Sequence, residues 1–133
     1  MNDTNSDMNQ ILVIEDDPDT QDMLCDILSD AGYDALGAAD GEKGLELAEN
    51  TQPHLILLDL MLPGIDGVEV CRRLSTNDVT RGIPVIVLTA RKELPVKLSS
   101  FMAGAKRFLT KPFETNVLLN EINRTMHQAG PGH

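Results

Sequence analysis

The sequence predicts an α/β protein: a doubly wound, five-stranded parallel sheet covered by five helices. Short aliphatic runs alternate with longer stretches of helical period, the pattern of strand and crossover helix. The central runs are apolar at every position, as strands buried on both faces must be. The length, 133 residues, suits one compact domain and leaves little for a second core. Apolar residues make up 41% of the chain and aromatics only 3%, so the core is aliphatic.

The strands are read at Ile11–Ile14, Ala35–Ala38, Leu55–Leu58, Val85–Leu88 and Arg107–Leu109. Ala35–Ala38 carries the weakest strand signal of the five. The first helix opens with Asp17 as N-cap and Pro18 at the first helical position, runs along a stripe of Met23, Leu24, Ile27, Leu28 and Ala31, and stops before Gly32. A second is expected from about Glu42 to Glu49, with Leu45, Leu47 and Ala48, and a third from about Gly67 to Leu74, with Val68, Val70, Cys71 and Leu74. The fourth places Leu94, Leu98, Phe101 and Met102 on one face before Gly104, and the fifth places Leu118, Leu119, Ile122 and Met126 likewise. Residues 1–9 and 128–133 carry no period, so the folded domain is expected over 10–127 between a disordered N-terminal tail and a flexible tail or linker start.

Charge narrows the function classes. The formal net charge is −10, which disfavours a grip on nucleic-acid phosphates, so direct DNA or RNA binding is not expected. No apolar run approaches the ~20 residues of a membrane span. The polar start MNDTNSDMNQ has no signal-peptide pattern, so a cytoplasmic protein without a membrane partner is expected. Cys25 and Cys71 sit among helical apolar neighbours with no metal-ligand spacing and read as free thiols. His54, His127 and His133 form no ligand cluster, and the methionines at helical spacing read as core fillers.

In an open parallel sheet, chemistry gathers beyond the carboxyl ends of the strands. Glu15, Asp16 and Asp17 follow the first strand, Asp59 the third, Thr89 and Ala90 the fourth, and Thr110, Lys111 and Pro112 the fifth. Crowded carboxylates repel unless a cation sits among them, and hard oxygen ligands favour Mg²⁺. A lysine opposite the acids neutralises an incoming phosphoryl group, and a threonine hydroxyl donates to one of its oxygens. The set describes phosphoryl transfer to a carboxylate, where catalysis is positioning and charge neutralisation. Asp59 follows four aliphatic residues, where an idle carboxylate is costly. Asp17 reads more simply as a helix cap.

The motifs ILVIEDDP, LILLDLMLPGIDG, PVIVLTA and FLTKPF fall in order at the strand ends, and over Asn9 to Met126 the chain resembles the response-regulator receiver domains of two-component signalling. The resemblance implies the flavodoxin-like strand order 2-1-3-4-5 and a non-enzymatic switch that accepts a phosphoryl group from a histidine kinase or histidine phosphotransfer protein and acts on a downstream effector protein or domain. It makes Asp59 the phosphoacceptor and assigns Mg²⁺ to Glu15, Asp16, Asp59 and the Met61 backbone carbonyl. Thr89 and Lys111 become the phosphate-binding pair, Phe108 falls at the switching aromatic, and the Lys111–Pro112 peptide is expected cis. Phe108 reads equally well as plain core. Gly64 and Gly67 are expected to supply turn conformations beside the acceptor. A phosphatase of the haloacid-dehalogenase type, the rival reading, needs a second acid two residues after its nucleophile, and here that residue is Met61.

Two departures from the family carry expectations. Receivers joined to winged-helix transcription factors dimerise through acidic residues just before the switching aromatic. This chain has Lys106 and Arg107 there, so a monomer or weak dimer is expected. The residues two after the acceptor and two after the threonine, Met61 and Arg91, flank the path of the hydrolytic water, and the resemblance implies slow dephosphorylation.

Overall fold

The computed structural model describes residues 9–128. The expected tails at 1–9 and 128–133 fall outside the described residues, apart from Asn9 and the last residue of the final helix. The strands are β1 (Gln10–Ile14), β2 (Asp34–Ala38), β3 (Leu55–Leu58), β4 (Val85–Thr89) and β5 (Arg107–Thr110). Between and after them run α1 (Pro18–Asp30), α2 (Gly41–Thr51), α3 (Gly67–Thr76), α4 (Leu94–Met102) and α5 (Thr115–Gln128). All five strands are parallel, in the order β2-β1-β3-β4-β5, so the expected topology is the one observed.

Alternation along the strands divides the core into two layers. Ile11, Val13, Leu55, Leu57, Ile86 and Leu88 face Leu24 and Leu28 of α1 and Leu118 and Ile122 of α5. Leu12, Ile14, Ile56, Leu58, Val85 and Val87 face Ala48 of α2 and Val70, Cys71 and Leu74 of α3. Each fully buried Leu or Ile contributes about 1.5–3 kcal/mol relative to exposure. The helix ends follow the sequence signals: Asp17 caps α1 by accepting the Thr20 N–H at 3.0 Å, and Gly32 follows the helix at φ +95°. No helix among the described residues is long and apolar enough to cross a membrane.

Three expectations change. The stripe Leu94, Leu98, Phe101 and Met102 was expected to face the core, but it faces solvent, with Met102 88% exposed. Helix α4 docks instead through Val96, Ser100 and Ala103, which share the same helical spacing. The Ser100 hydroxyl donates to the Val96 carbonyl at 2.9 Å, so a polar side chain can be buried there. Periodicity alone does not say which of two stripes packs. Met23, expected on the buried stripe of α1, is likewise exposed.

The third change concerns Gly67. Gly64 does adopt a positive φ, +75°, but Gly67 does not. Glycine is needed at Gly67 for closeness: a Cβ there would lie 2.4 Å from the Leu60 Cα and 2.9 Å from the Asp59 carbonyl oxygen. The N-terminus of α3 therefore packs directly on the backbone that follows β3. Gly67→Ala is expected to cost about 1–3 kcal/mol through overpacking against backbone that cannot give way. Gly82→Ala, where the added atom meets nothing within 4 Å, is the control. Urea unfolding midpoints check this; equal midpoints for the two variants would contradict it.

Candidate functional site

Glu15, Asp59 and Lys111 are each held by one ladder hydrogen bond beyond the end of their strand. The Glu15 N–H donates to the Ala38 carbonyl of β2 at 2.9 Å, Asp59 to Ile14 of β1 at 3.0 Å, and Lys111 to Thr89 of β4 at 2.9 Å. The parallel sheet thus fixes three backbones in one plane, and their side chains meet above its carboxyl edge.

Glu15 and Asp59 are only 3% and 6% exposed, and Thr89 is fully buried. The Lys111 ammonium donates to Glu15 Oε1 at 2.7 Å and to Asp59 Oδ2 at 2.7 Å. The second oxygens are also partnered: Glu15 Oε2 accepts the Asp17 N–H at 3.1 Å, and Asp59 Oδ1 accepts the Met61 N–H at 2.9 Å. One oxygen from each of Glu15, Asp16 and Asp59 lies within 4.8 Å of the others. Burial pushes the Glu15 carboxyl above its usual value of 4.5, and the Asp59 charge adds to this against the hydrogen bonds from Lys111 and the Asp17 amide. Burial pulls Lys111 down, but its bonds to Asp59 and Glu15 outweigh this and hold it above 10.5. Lysine is therefore a fixed positive charge here.

The donor set fits a hard divalent cation. It consists of three carboxylates at the mouth of the sheet, one of them, Asp16, exposed to solvent. Thr89 Oγ1 accepts the Arg91 N–H at 3.3 Å, a role that does not use its own O–H proton. Phe108 in β5 is half-buried and pairs with Phe101 of α4, ring centroids 6.4 Å apart. Asp17 stands apart from the acid cluster as a cap, its carboxyl held low by the Thr20 side chain and amide. The Lys111–Pro112 peptide is cis, as expected. Arg91 lies against Glu93 at 3.3 Å, and Arg107 against Glu121 of α5 at 3.6 Å.

Sequence reasoning missed Gln21. Its side-chain amide donates to the Glu15 carbonyl at 3.0 Å and lies so close over β2 that a Cβ on Gly37 would sit 2.3 Å from Gln21 Oε1. A glycine in mid-strand, where it costs about 0.5–1 kcal/mol, was the available signal.

A profile of the response regulator receiver domain family matches residues 11–123. The DNA-binding dual master transcriptional regulator RpaA of Synechocystis sp. is 44% identical over 91% of this chain and 50% of its own length. The phosphate regulon transcriptional regulatory protein PhoB of Pseudomonas aeruginosa is 36% identical over 92% of this chain and 53% of its own. Among solved structures, the receiver domain of the sensor histidine kinase PA1611 from Pseudomonas aeruginosa, with a magnesium ion in its active-site cleft, superposes with a TM-score of 0.84 at 30% identity, covering 90% of this chain and 98% of that one.

The chain spans about half the length of the two regulators it matches. This corrects the partner expectation, which set nucleic acid aside: those relatives are transcriptional regulators, one of them DNA-binding by name. The charge of −10 describes these 133 residues alone and tests only their own surface.

The raised Glu15 carboxyl sets a pH dependence. A proton binds that carboxyl at a pH above the ordinary 4.5 and would compete with any cation held by the acid cluster. Affinity for Mg²⁺ is therefore expected to fall as pH is lowered toward and through that raised value. Glu15→Gln is expected to bind more weakly and to lose that part of the pH dependence. Calorimetric titration across pH checks both; superimposable profiles would contradict the assignment.

Proposed function

The chain belongs to the response regulator receiver domain family, and we propose that Asp59 is its phosphoacceptor. The observation that carries this is the Lys111 bridge: a nearly buried carboxylate at a strand end is paired with a fixed ammonium and lies beside two further acids. In the transfer, an Asp59 oxygen attacks the phosphorus of a phosphohistidine on a kinase or phosphotransfer protein. The new O–P bond forms as the P–N bond to the donor breaks, and the donor nitrogen keeps the electron pair. Glu15, Asp16 and Asp59 would hold Mg²⁺, with the Met61 carbonyl as a further ligand. When bound, Mg²⁺ supplies charge neutralisation for the crowded carboxylates and the phosphoryl oxygens. Lys111 pairs with the transferred group, and the Thr89 hydroxyl donates to one of its oxygens.

The output follows from differential contact. Phosphate shifts the domain only as far as it binds one conformer better, and Thr89 with Lys111 supplies that discrimination. Phe108, in the strand next to Thr89 and in ring contact with Phe101, transmits the change to α4. The domain is a cytoplasmic switch and not a conventional enzyme, since its only chemistry is its own phosphorylation and dephosphorylation. By likeness to the transcriptional regulators it matches, its output is transcriptional.

Acetyl phosphate is expected to phosphorylate the domain only with Mg²⁺, and Asp59→Asn is expected to abolish the product. Intact-mass measurement decides this; phosphate on the variant, or equal labelling in excess chelator, would sink the assignment. The lifetime of the acyl phosphate is expected to be long. The Met61 side chain is 55% exposed beside the acceptor and offers no hydrogen bond to orient a hydrolytic water. Met61→Asn combined with Arg91→Glu is expected to shorten that lifetime several-fold; an unchanged decay rate would refute the water-access argument.

A further inference from the structure

We infer that Gln21 is a positioning residue for the cation site, holding the peptide between Glu15 and Asp16 in the orientation that presents Asp16. A peptide unit is rigid and planar, so fixing the Glu15 carbonyl fixes the plane that leads to the Asp16 Cα. Every polar group of Glu15 is held. Its N–H bonds Ala38, its carboxylate oxygens bond Lys111 and the Asp17 N–H, and its carbonyl accepts from Gln21 Nε2 at 3.0 Å. Of these contacts, only the last acts on the peptide that carries Asp16. Asp16 is the exposed member of the acid cluster and has no burial to hold it in place.

Gly37 gives independent support from the neighbouring strand. Any Cβ there would lie 2.3 Å from Gln21 Oε1 and 2.6 Å from its Cδ, so β2 carries a glycine where the Gln21 amide crosses it. The residue that would strike is a movable side chain, so Gly37→Ala displaces the amide and leaves the strand in place. Two substitutions on different elements, one removing the donor and one pushing it aside, therefore reach the same peptide.

The inference rests on the reading of Glu15, Asp16 and Asp59 as the Mg²⁺ ligands, and titration of the 133-residue chain with MgCl₂ tests both. Gln21→Met keeps length and apolar bulk but loses the donor, and it is expected to weaken Mg²⁺ binding about 3- to 10-fold, the scale of one hydrogen bond. Gly37→Ala is expected to weaken it comparably. The double variant is expected to be no weaker than the worse single, because both act through one contact. Gly104→Ala serves as the matched control. With φ at +112° and Ser75 in the way, it destabilises the fold far from the site and is expected to leave Mg²⁺ affinity unchanged. In amide spectra without cation, the Asp16 N–H is expected to shift in both Gln21→Met and Gly37→Ala. Unchanged affinity in Gln21→Met, multiplied losses in the double variant, or losses that track urea midpoints as in Gly104→Ala would each overturn the inference while leaving the cation site intact. A wild-type chain that binds no Mg²⁺ would sink the site and the inference together.

Discussion

The Lys111 ammonium lies 2.7 Å from an oxygen of Glu15 and 2.7 Å from one of Asp59, and the arrangement of the carboxyl edge depends on that bridge. Two nearly buried carboxylates beside a third acid repel one another, and burial alone penalises each charge. Removing one partner of a buried pair costs about 3–5 kcal/mol, and with the Lys111 side chain 23% exposed the cost here falls toward the lower end. The bridge therefore compensates for acids that the fold would otherwise expel. A cation or a phosphoryl group arriving at the edge meets charges already held in place.

The strand order makes the bridge possible. Glu15 directly follows β1, Asp59 the adjacent β3, and Lys111 β5, with β4 and its terminal Thr89 between. The flexible four-carbon stem of lysine crosses β4 to reach both acids. The backbones are pinned by ladder hydrogen bonds that run past the strand ends, and Gly67 lets α3 press onto the backbone just after β3. Buried strands position the acids, and the exposed β4–α4 segment and α4, with its exposed apolar stripe, lie where a conformational change has least packing to undo.

Much of this was legible in the sequence because its signals are strong and local. Ile11–Ile14, Leu55–Leu58 and Val85–Leu88 are uniformly aliphatic, so both the strands and their charged successors stand out. Asp17 and Pro18 fixed the start of α1 to the residue. The missed features depend on tertiary choice. Helix α4 offers two stripes at the same period, and the smaller one packs, since Ser100 satisfies its own hydroxyl. Gly67 was read as a turn glycine because a sequence does not show which backbone it touches. Gln21 carries no local signal in the sequence, and only its position over Gly37 shows what it holds.

The central claim is that the acyl phosphate forms on Asp59 and on no other acid of the cluster. Borohydride reduction of the freshly phosphorylated domain, followed by peptide mass mapping, tests this most directly, because reduction converts a phosphorylated aspartate to homoserine and leaves free carboxylates untouched. The account predicts homoserine at residue 59 and unmodified Glu15 and Asp16. A reduced product at residue 15 or 16, or none at residue 59 in a domain that carries phosphate by intact mass, would contradict it.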